Sequence, residues 1–202
     1  MMQGDNFAVS PTTNAAYYRV AAASSGTAAY TLLQTLAGPN GIGYIISFVG
    51  NANDSGKTLT IVGHKMGTAP GVVTTEVVTG PNTNTVYSTG YYDRVTSITP
   101  SATMTGTIGV GVLGTSVALP RTRIKGVYYV GTGSAGSIKA NLNSSTGTLL
   151  LQVDTPALAT ATQYILLTGG ILMGGSNALG PLTMDIGIIT LTNVTFATII
   201  CG

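Results

Sequence analysis

Two glycine-rich stretches have residue types and spacing that could bind a phosphate. The run from Gly131 to Gly136 has the spacing G-x-G-x-x-G and follows a strand-like segment, as a dinucleotide-binding loop does. In such a loop the third glycine opens a helix that faces the pyrophosphate, but the next segment, Ser137 to Gly147, would make a poor and short helix. The sequence therefore predicts a plain glycine-rich hairpin loop here.

The second stretch, Gly50 to Thr58, resembles a phosphate-binding P-loop because it follows a strand-like run and ends in Gly-Lys-Thr. Five residues separate Gly50 from Gly56, where the P-loop has four, and Thr58 begins an alternating strand pattern instead of a helix. A β-turn at Asp54-Ser55-Gly56 is the predicted structure.

The chain has few residues that could carry out acid–base catalysis or bind a metal ion. His64 is the only histidine, no acid neighbours it in the sequence, and it is predicted to be a surface or loop histidine. The acids are spaced neither as a calcium loop nor as a pair on one strand face: Asp5, Asp54, Glu76, Asp93, Asp154 and Asp185. The single cysteine, Cys201, allows no intramolecular disulfide and is predicted to be a buried small residue. We therefore predict no catalytic, cofactor-binding or metal-binding residues, no cofactor, and no enzymatic activity.

Positive charge is too sparse for a nucleic-acid groove. Eight Lys and Arg residues are spread over the chain, and the tightest group is Arg121, Arg123 and Lys125. Their spacing places all three on one face of a strand, which favours a solvated face or a subunit contact over a phosphate site. No nucleic-acid partner is expected.

The composition indicates that other subunits cover much of the surface. Only 7% of the 202 residues are charged, where an ordinary domain has about 25%, while 44% are hydrophobic and the net charge is +2. A surface with so few charges has little electrostatic protection against association. A homo-oligomer or a larger assembly is therefore expected.

No membrane partner is expected, since no run reaches the eighteen or so apolar residues of a membrane helix. The first fourteen residues lack the basic and apolar regions of a signal peptide, so the chain is expected to be made in the cytoplasm.

The pattern of β-branched residues broken by Gly, Pro and Asn predicts an all-β fold with little or no helix. The Thr58–Thr99 stretch is predicted to be a meander of short strands, with a reversal at Gly80-Pro81-Asn82 and Glu76 on its wetter face. That face, with one tyrosine of the Tyr91-Tyr92 pair, is the expected contact surface. The alternation of side chains every two residues is broken between Val95 and Ile98, which are three positions apart, and this indicates a β-bulge or burial on both faces.

Two small β-sandwich or barrel-like modules of short antiparallel strands are expected. Residues 1–15 would be an N-terminal arm, held only by contact with something else, 16–118 the first module and 119–202 the second. The boundary is placed at Leu119-Pro120 because residues 114–118 are polar and a proline follows. A short helical turn is considered at Ala157 to Ala161, and the alanines at Ala21 to Ala23 and Ala28-Ala29 would also tolerate one. Tyrosines at adjacent positions, such as Tyr128-Tyr129, should point one inward and one outward along a strand.

Several turn-and-strand patterns resemble virion structural proteins of tailed bacteriophages, including cyanophages. The matching segments in the first half are Gly50-Asn51, Asn53 to Gly56, Thr58 to Ile61, Thr75 to Asn82 and Val95 to Ile98. Those in the second half are Tyr128-Tyr129, Thr155-Pro156-Ala157 and Leu191 to Thr195.

This resemblance implies a non-enzymatic structural protein located in the virion. The leading expectation is a capsid decoration (cement) protein that stabilises the phage head, with the major capsid protein or other virion proteins as partners. A tail, neck or fibre component is one alternative. The other is a carbohydrate- or receptor-binding module in which outward tyrosines stack on the ligand.

Overall fold

The computed structural model describes residues 6–9, 14–24, 26–34, 42–119, 122–157, 162–173 and 186–201. These residues form β-strands joined by turns and contain no helix, which confirms the predicted all-β class. Of the helical turns considered, Ala21 to Ala23 lie in a strand and Ala28-Ala29 in irregular chain, while Ala157 to Ala161 lie outside the described residues beyond Ala157. The strands are β1 (Asn6–Val9), β2 (Asn14–Ala23), β3 (Gly43–Gly50), β4 (Thr58–Lys65), β5 (Thr74–Thr79), β6 (Thr85–Pro100), β7 (Thr107–Leu119), β8 (Thr122–Gly131), β9 (Gly136–Leu142), β10 (Leu149–Thr155), β11 (Thr162–Met173), β12 (Gly187–Thr192) and β13 (Val194–Cys201).

The described strands form two antiparallel sheets. A nine-stranded sheet has the order β10-β9-β12-β7-β3-β6-β4-β5, with β2 also paired to β7. A four-stranded sheet has the order β1-β13-β8-β11. The arrangement is consistent with the expected β-sandwich.

Strand β7 connects the two halves of the chain. One edge of β7 pairs with β3 along most of its length, while the other edge pairs first with β2, from Thr107 to Val112, and then with β12, from Ser116 to Leu119. Residues 114–118 were expected to interrupt the strand pattern, but they lie inside β7. Val117 and Leu119 are fully buried, so this end of β7 is part of the core. The nine-stranded sheet therefore contains strands from both sides of Leu119.

Two hydrophobic cores lie along this sheet. The first is built on β3, β4, β6 and the first half of β7, and its fully buried members include Tyr18, Ile46, Phe48, Leu59, Ile61, Tyr92, Ile98 and Ile108. The second lies between the end of β7, the β9–β12 region and the four-stranded sheet, and includes Val117, Leu119, Ile124, Val127, Tyr129, Ala197 and Ile199. Leu59 and Ile61 face the core as the alternating pattern predicted. Each core takes most of its side chains from one half of the chain.

The predicted meander is wrong in its strand order. Residues 85–100 form one long strand, β6, and β4 lies between β6 and β5, so the chain crosses over β4 after Thr79. The slip in period two is a bulge, as expected: Val62 pairs with Ser97 and Gly63 with Val95, which leaves Thr96 unpaired. Sequence periodicity defines the faces of a strand, but hydrogen bonding to distant segments decides which strand lies beside it.

The N-terminal arm is held by its own chain over the described part. Residues 6–9 form β1, which pairs in antiparallel register with β13, Asn6 opposite Ile200 and Val9 opposite Ala197. The arm was expected to be ordered only by contact with something else, and β13 supplies that contact.

Candidate functional site

The outward face of the four-stranded sheet is apolar. Register places its outward side chains in three cross-strand rows, which we call the β8 face: Phe196 and Val130; Thr198, Tyr128 and Tyr164; Ile200, Gly126 and Leu166. Tyr164 is 54% exposed and Leu166 is 69% exposed, and the other large side chains of the rows are half-buried. Outward sheet faces usually alternate to polar residues, so an apolar one is typical of an interaction surface.

The ends of the β8 face differ in charge. Arg123 and Lys125 project from β8 beyond the row of Gly126, and Leu172 lies opposite Arg123. The Arg123 guanidinium donates a 2.6 Å hydrogen bond to the carbonyl oxygen of Gly169. Arg123 and Lys125 are both exposed on one strand face, as predicted for this pair, and Arg121 lies outside the described residues.

Gly126 lies in the middle of the β8 face and is buried beneath its neighbours. A Cβ atom at Gly126 would lie 2.9 Å from the carbonyl oxygen of Ile165, 3.6 Å from Ile200 Cδ1 and 3.7 Å from Tyr164 Oη. The first distance is shorter than real Cβ atoms show, so the close approach of the β11 backbone explains the glycine.

A second, neutral surface lies at the far end of the nine-stranded sheet. Its outward side chains, which we call the β5 face, are Thr58, Thr60, Val62, Thr75, Val77, Thr79, Ser97 and Thr99. Val77 is 61% exposed, and Val73, just before β5, is 65% exposed. Among the described strands β5 pairs only with β4, so its other main-chain edge is open to strand addition.

Glu76 does not lie on the outer face as predicted. Its carboxylate faces inward and accepts hydrogen bonds from the Thr89 amide (2.5 Å) and the Tyr92 hydroxyl (3.1 Å), and it forms an ion pair with Lys65 Nζ at 2.7 Å. Burial alone would raise the pKa of Glu76, but the bonds from Lys65 and Thr89 lower it below its ordinary value. The expected contact surface around Glu76 is therefore wrong, because Tyr92 is fully buried and Glu76 is fully engaged inside the fold.

His64 has an acidic neighbour that sequence spacing did not reveal. Its Nδ1 lies 2.7 Å from Asp93 Oδ1, and its Nε2 lies 3.2 Å from the carbonyl oxygen of Ala69. The two residues are 29 positions apart and meet because β4 pairs with β6. His64 lies in β4 and not in a loop, and its side chain is partly covered, with 19% exposed, instead of standing free at the surface. Since both ring nitrogens face oxygen atoms of Asp93 and Ala69, neither is available to activate a hydroxyl nucleophile as in a Ser-His-Asp triad.

The P-loop-like stretch is a structural turn, as predicted. The Lys57 amide donates to the Asp54 carbonyl at 2.9 Å, and Thr58 begins β4. The Asp54 carboxylate is buried and accepts bonds from Lys57 Nζ (2.6 Å), the Thr105 amide (2.7 Å) and the Gly106 amide (3.3 Å). Burial alone would raise the pKa of Asp54, but these donors lower it to about 2. Asp54 thus ties the turn to the segment before β7.

The G-x-G-x-x-G run is not followed by a helix. Gly131 ends β8 and Gly136 begins β9, and these two strands belong to different sheets. The predicted hairpin is therefore a connection between the two sheets. The backbone of Thr192 lies where a Cβ atom at Gly136 would be, which explains the glycine without a ligand.

Adjacent tyrosines do point to opposite sides of their strands. Tyr18, Tyr92 and Tyr129 are fully buried, and the neighbouring tyrosines are partly exposed. The hydroxyl groups of Tyr91 and Ser116 form a hydrogen bond of 2.8 Å. Tyr128 lies on the β8 face.

Sequence reasoning missed the β8 face. A signal was present, because Tyr164 to Leu167 is apolar at every position, and such runs are typical of strands covered on both sides.

Cys201 is buried, as predicted. In the part of the chain that the structure describes, no three His, Cys, Asp or Glu side chains form a group that could hold a metal ion. None of the described segments is a helix long and apolar enough to span a membrane.

No protein-family model, curated protein or solved structure matches the chain.

Proposed function

We propose that the chain is a non-enzymatic structural protein of a tailed-phage virion, and that it acts as a capsid decoration protein bound to the outside of the head. The phage assignment rests on the turn-and-strand resemblance within residues 47–110 and 123–202. The low charge and the engagement of His64, Glu76 and Asp54 in internal contacts support a role in assembly instead of catalysis.

The observation that carries this proposal is the β5 face with its open strand edge. A flat surface of threonine and valine side chains, with Val77 projecting from it, can pack against another protein with little cost for removing charges from water. The open edge of β5 adds main-chain hydrogen bonds if a neighbouring segment pairs with it. Each contact is modest, and stabilisation of the head comes from repeating it over many copies.

The first experiment is to count copies in purified virions by quantitative mass spectrometry and to locate them in a density map of the virion. Decoration requires many copies on the head, and fewer than about ten copies per virion would contradict it by the same multivalent logic. Density at the tail or neck alone would favour the alternative of a tail component.

A second experiment tests the β5 face. Recombinant protein is mixed with heads that lack it, and bound protein is measured after sedimentation. Val77→Lys places a cation in the middle of the β5 face and should reduce binding. Val20→Lys is the matched control, because Val20 is 62% exposed, close to the 61% of Val77, and lies outside both the β5 face and the β8 face. Equal binding by wild type and Val77→Lys would contradict the assignment of this face.

A carbohydrate- or receptor-binding module is the second candidate, and the pair Tyr128 and Tyr164 favours it. These tyrosines are cross-strand neighbours on the β8 face, and exposed aromatic rings can stack on sugars. Binding of the isolated protein to a glycan array, lost in Tyr164→Ala, would support this function, and an array without signal would exclude it for the glycans present.

A further inference from the structure

We propose that the β8 face binds the β8 face of a second copy of this chain, with the two copies related by a two-fold axis so that their β8 strands run in opposite directions. This inference does not depend on the proposed function, because it concerns a different surface from the β5 face.

The β8 face is apolar along its three rows. The three rows of the β8 face contain aromatic, aliphatic and threonine side chains and no carboxylate. Tyr164 and Leu166 project furthest, with more than half of each side chain exposed. Burying such side chains in water-free contact is favourable in proportion to the apolar area removed from solvent.

The cations of the β8 face are confined to one end. Arg123 and Lys125 lie at one end of the face, and the row of Val130 and Phe196 at the other end has no charge. Lys125 and Val130 are five residues apart on β8, or about 16 Å along an extended strand. A two-fold axis along the strands would make the two β8 strands parallel and bring the four cations together. A two-fold axis across the strands makes them antiparallel, and this two-fold arrangement separates the two pairs of cations by more than the screening length of about 8 Å at physiological salt.

The two-fold arrangement also gives each cation a favourable neighbour. The cationic end of one copy lies over the Val130 and Phe196 end of the other, where the rings of Phe196 and Tyr128 are available for cation–π contact. An isologous interface of this kind is the commonest in protein oligomers.

The size of the face indicates a weak dimer. The length of β8 from Arg123 to Val130 and the width of four strands give a surface of roughly 25 Å by 19 Å. Two such surfaces bury about 1,000 Å² in total, which is the lower limit for a specific interface. Interfaces below about 1,200 Å² are typical of weak and transient contacts, so we expect a concentration-dependent dimer with a dissociation constant on the order of micromolar or weaker.

The test is sedimentation velocity on the full chain over about 1 to 200 μM, a range that spans a micromolar dissociation constant. The monomer has a mass of 20.4 kDa, and the wild-type protein should shift towards twice that mass as its concentration rises. Leu166→Lys and Tyr164→Lys should stay monomeric. Val77→Lys, an equally exposed position on the β5 face, should dimerise like the wild type.

Two substitutions of opposite charge at Val130 test the orientation of the two copies. In the two-fold arrangement Val130 of one copy faces Arg123 and Lys125 of the other. Val130→Glu should therefore keep or tighten the dimer, whereas Val130→Lys should weaken it by about tenfold or more, the size of effect that one close pair of like charges has at an interface. Circular dichroism of each variant confirms that it remains folded.

A wild-type protein that stays monomeric throughout this concentration range would overturn the proposal, and so would a dimer that Leu166→Lys and Tyr164→Lys leave intact. Equal weakening by Val130→Glu and Val130→Lys would overturn the two-fold orientation. Head binding separates the two proposals, because a monomeric Leu166→Lys variant that still binds heads would leave the proposed function standing.

Discussion

The buried carboxylate of Asp54 gives a quantitative prediction about acid stability. Asp54 is 1% exposed, and its pKa falls from the ordinary 3.8 to about 2 because Lys57 and the amides of Thr105 and Gly106 donate to its ionised form. One pKa unit corresponds to about 1.4 kcal/mol, so this difference contributes roughly 2 kcal/mol to the free energy of unfolding.

The direction of the pH effect follows from the lower pKa in the folded state. As the pH falls, the unfolded chain takes up the proton first, so the contribution is present above pH 3.8 and is lost as the pH falls through about 2. In Asp54→Asn the titrating group is absent, and the buried amide keeps only part of the hydrogen bonding. We expect this variant to be less stable at pH 7 by about 2–3 kcal/mol, as for loss of a hydrogen bond to a buried charge.

Urea unfolding of the wild type and Asp54→Asn, at one protein concentration and at several pH values between 2 and 7, measures both effects. The stability difference should be largest at neutral pH and should shrink by about 2 kcal/mol by pH 2. Asp154→Asn is the matched control, because Asp154 is exposed on β10, and this change should alter stability by less than about 0.5 kcal/mol. A difference between wild type and Asp54→Asn that stays constant across this pH range would refute the role assigned to Asp54.

Three further substitutions test the packing and the buried polar contacts by urea or thermal unfolding. Glu76→Gln removes the ion pair with Lys65 and should cost about 1–3 kcal/mol at pH 7, and a change near zero would show that the pair adds nothing to stability. Leu59→Ala creates a cavity at a fully buried position in the first core and should cost about 2–5 kcal/mol, whereas a cost below 1 kcal/mol would contradict the packing described there. Tyr129→Phe removes the 2.8 Å hydrogen bond from the Tyr129 hydroxyl to Gln163 Oε1 and should cost only about 1 kcal/mol, because Gln163 is exposed and water can replace the donor.

A dimer formed through the β8 face would carry two copies of the β5 face. A dimer that binds the head through both copies gains from the high effective concentration of the second contact. The weak dimer expected from the size of the β8 face would then be stabilised on the head, where copies are held close together. Loss of dimerisation should therefore weaken head binding without abolishing it.

Local chemistry in the sequence determined the fold class and several strands. Leu59 and Ile61 alternate with threonines and face the core, since β-branched residues favour the extended backbone and period two separates its faces. The failure of the Gly50–Thr58 stretch as a phosphate site was also evident from its spacing and from the strand that follows. These features depend on residues close together in the chain, so the sequence was sufficient to predict them.

The tertiary structure alone decided which distant segments became neighbours. The contact of His64 with Asp93, the inward turn of Glu76 and the position of β4 between β5 and β6 all depend on strand pairings across many residues. The β8 face likewise exists because β8 lies between β11 and β13 and aligns Tyr128 with Tyr164. Alternation along a strand defines two faces, but which face is buried, and against which strand, is decided by the packing of the whole chain.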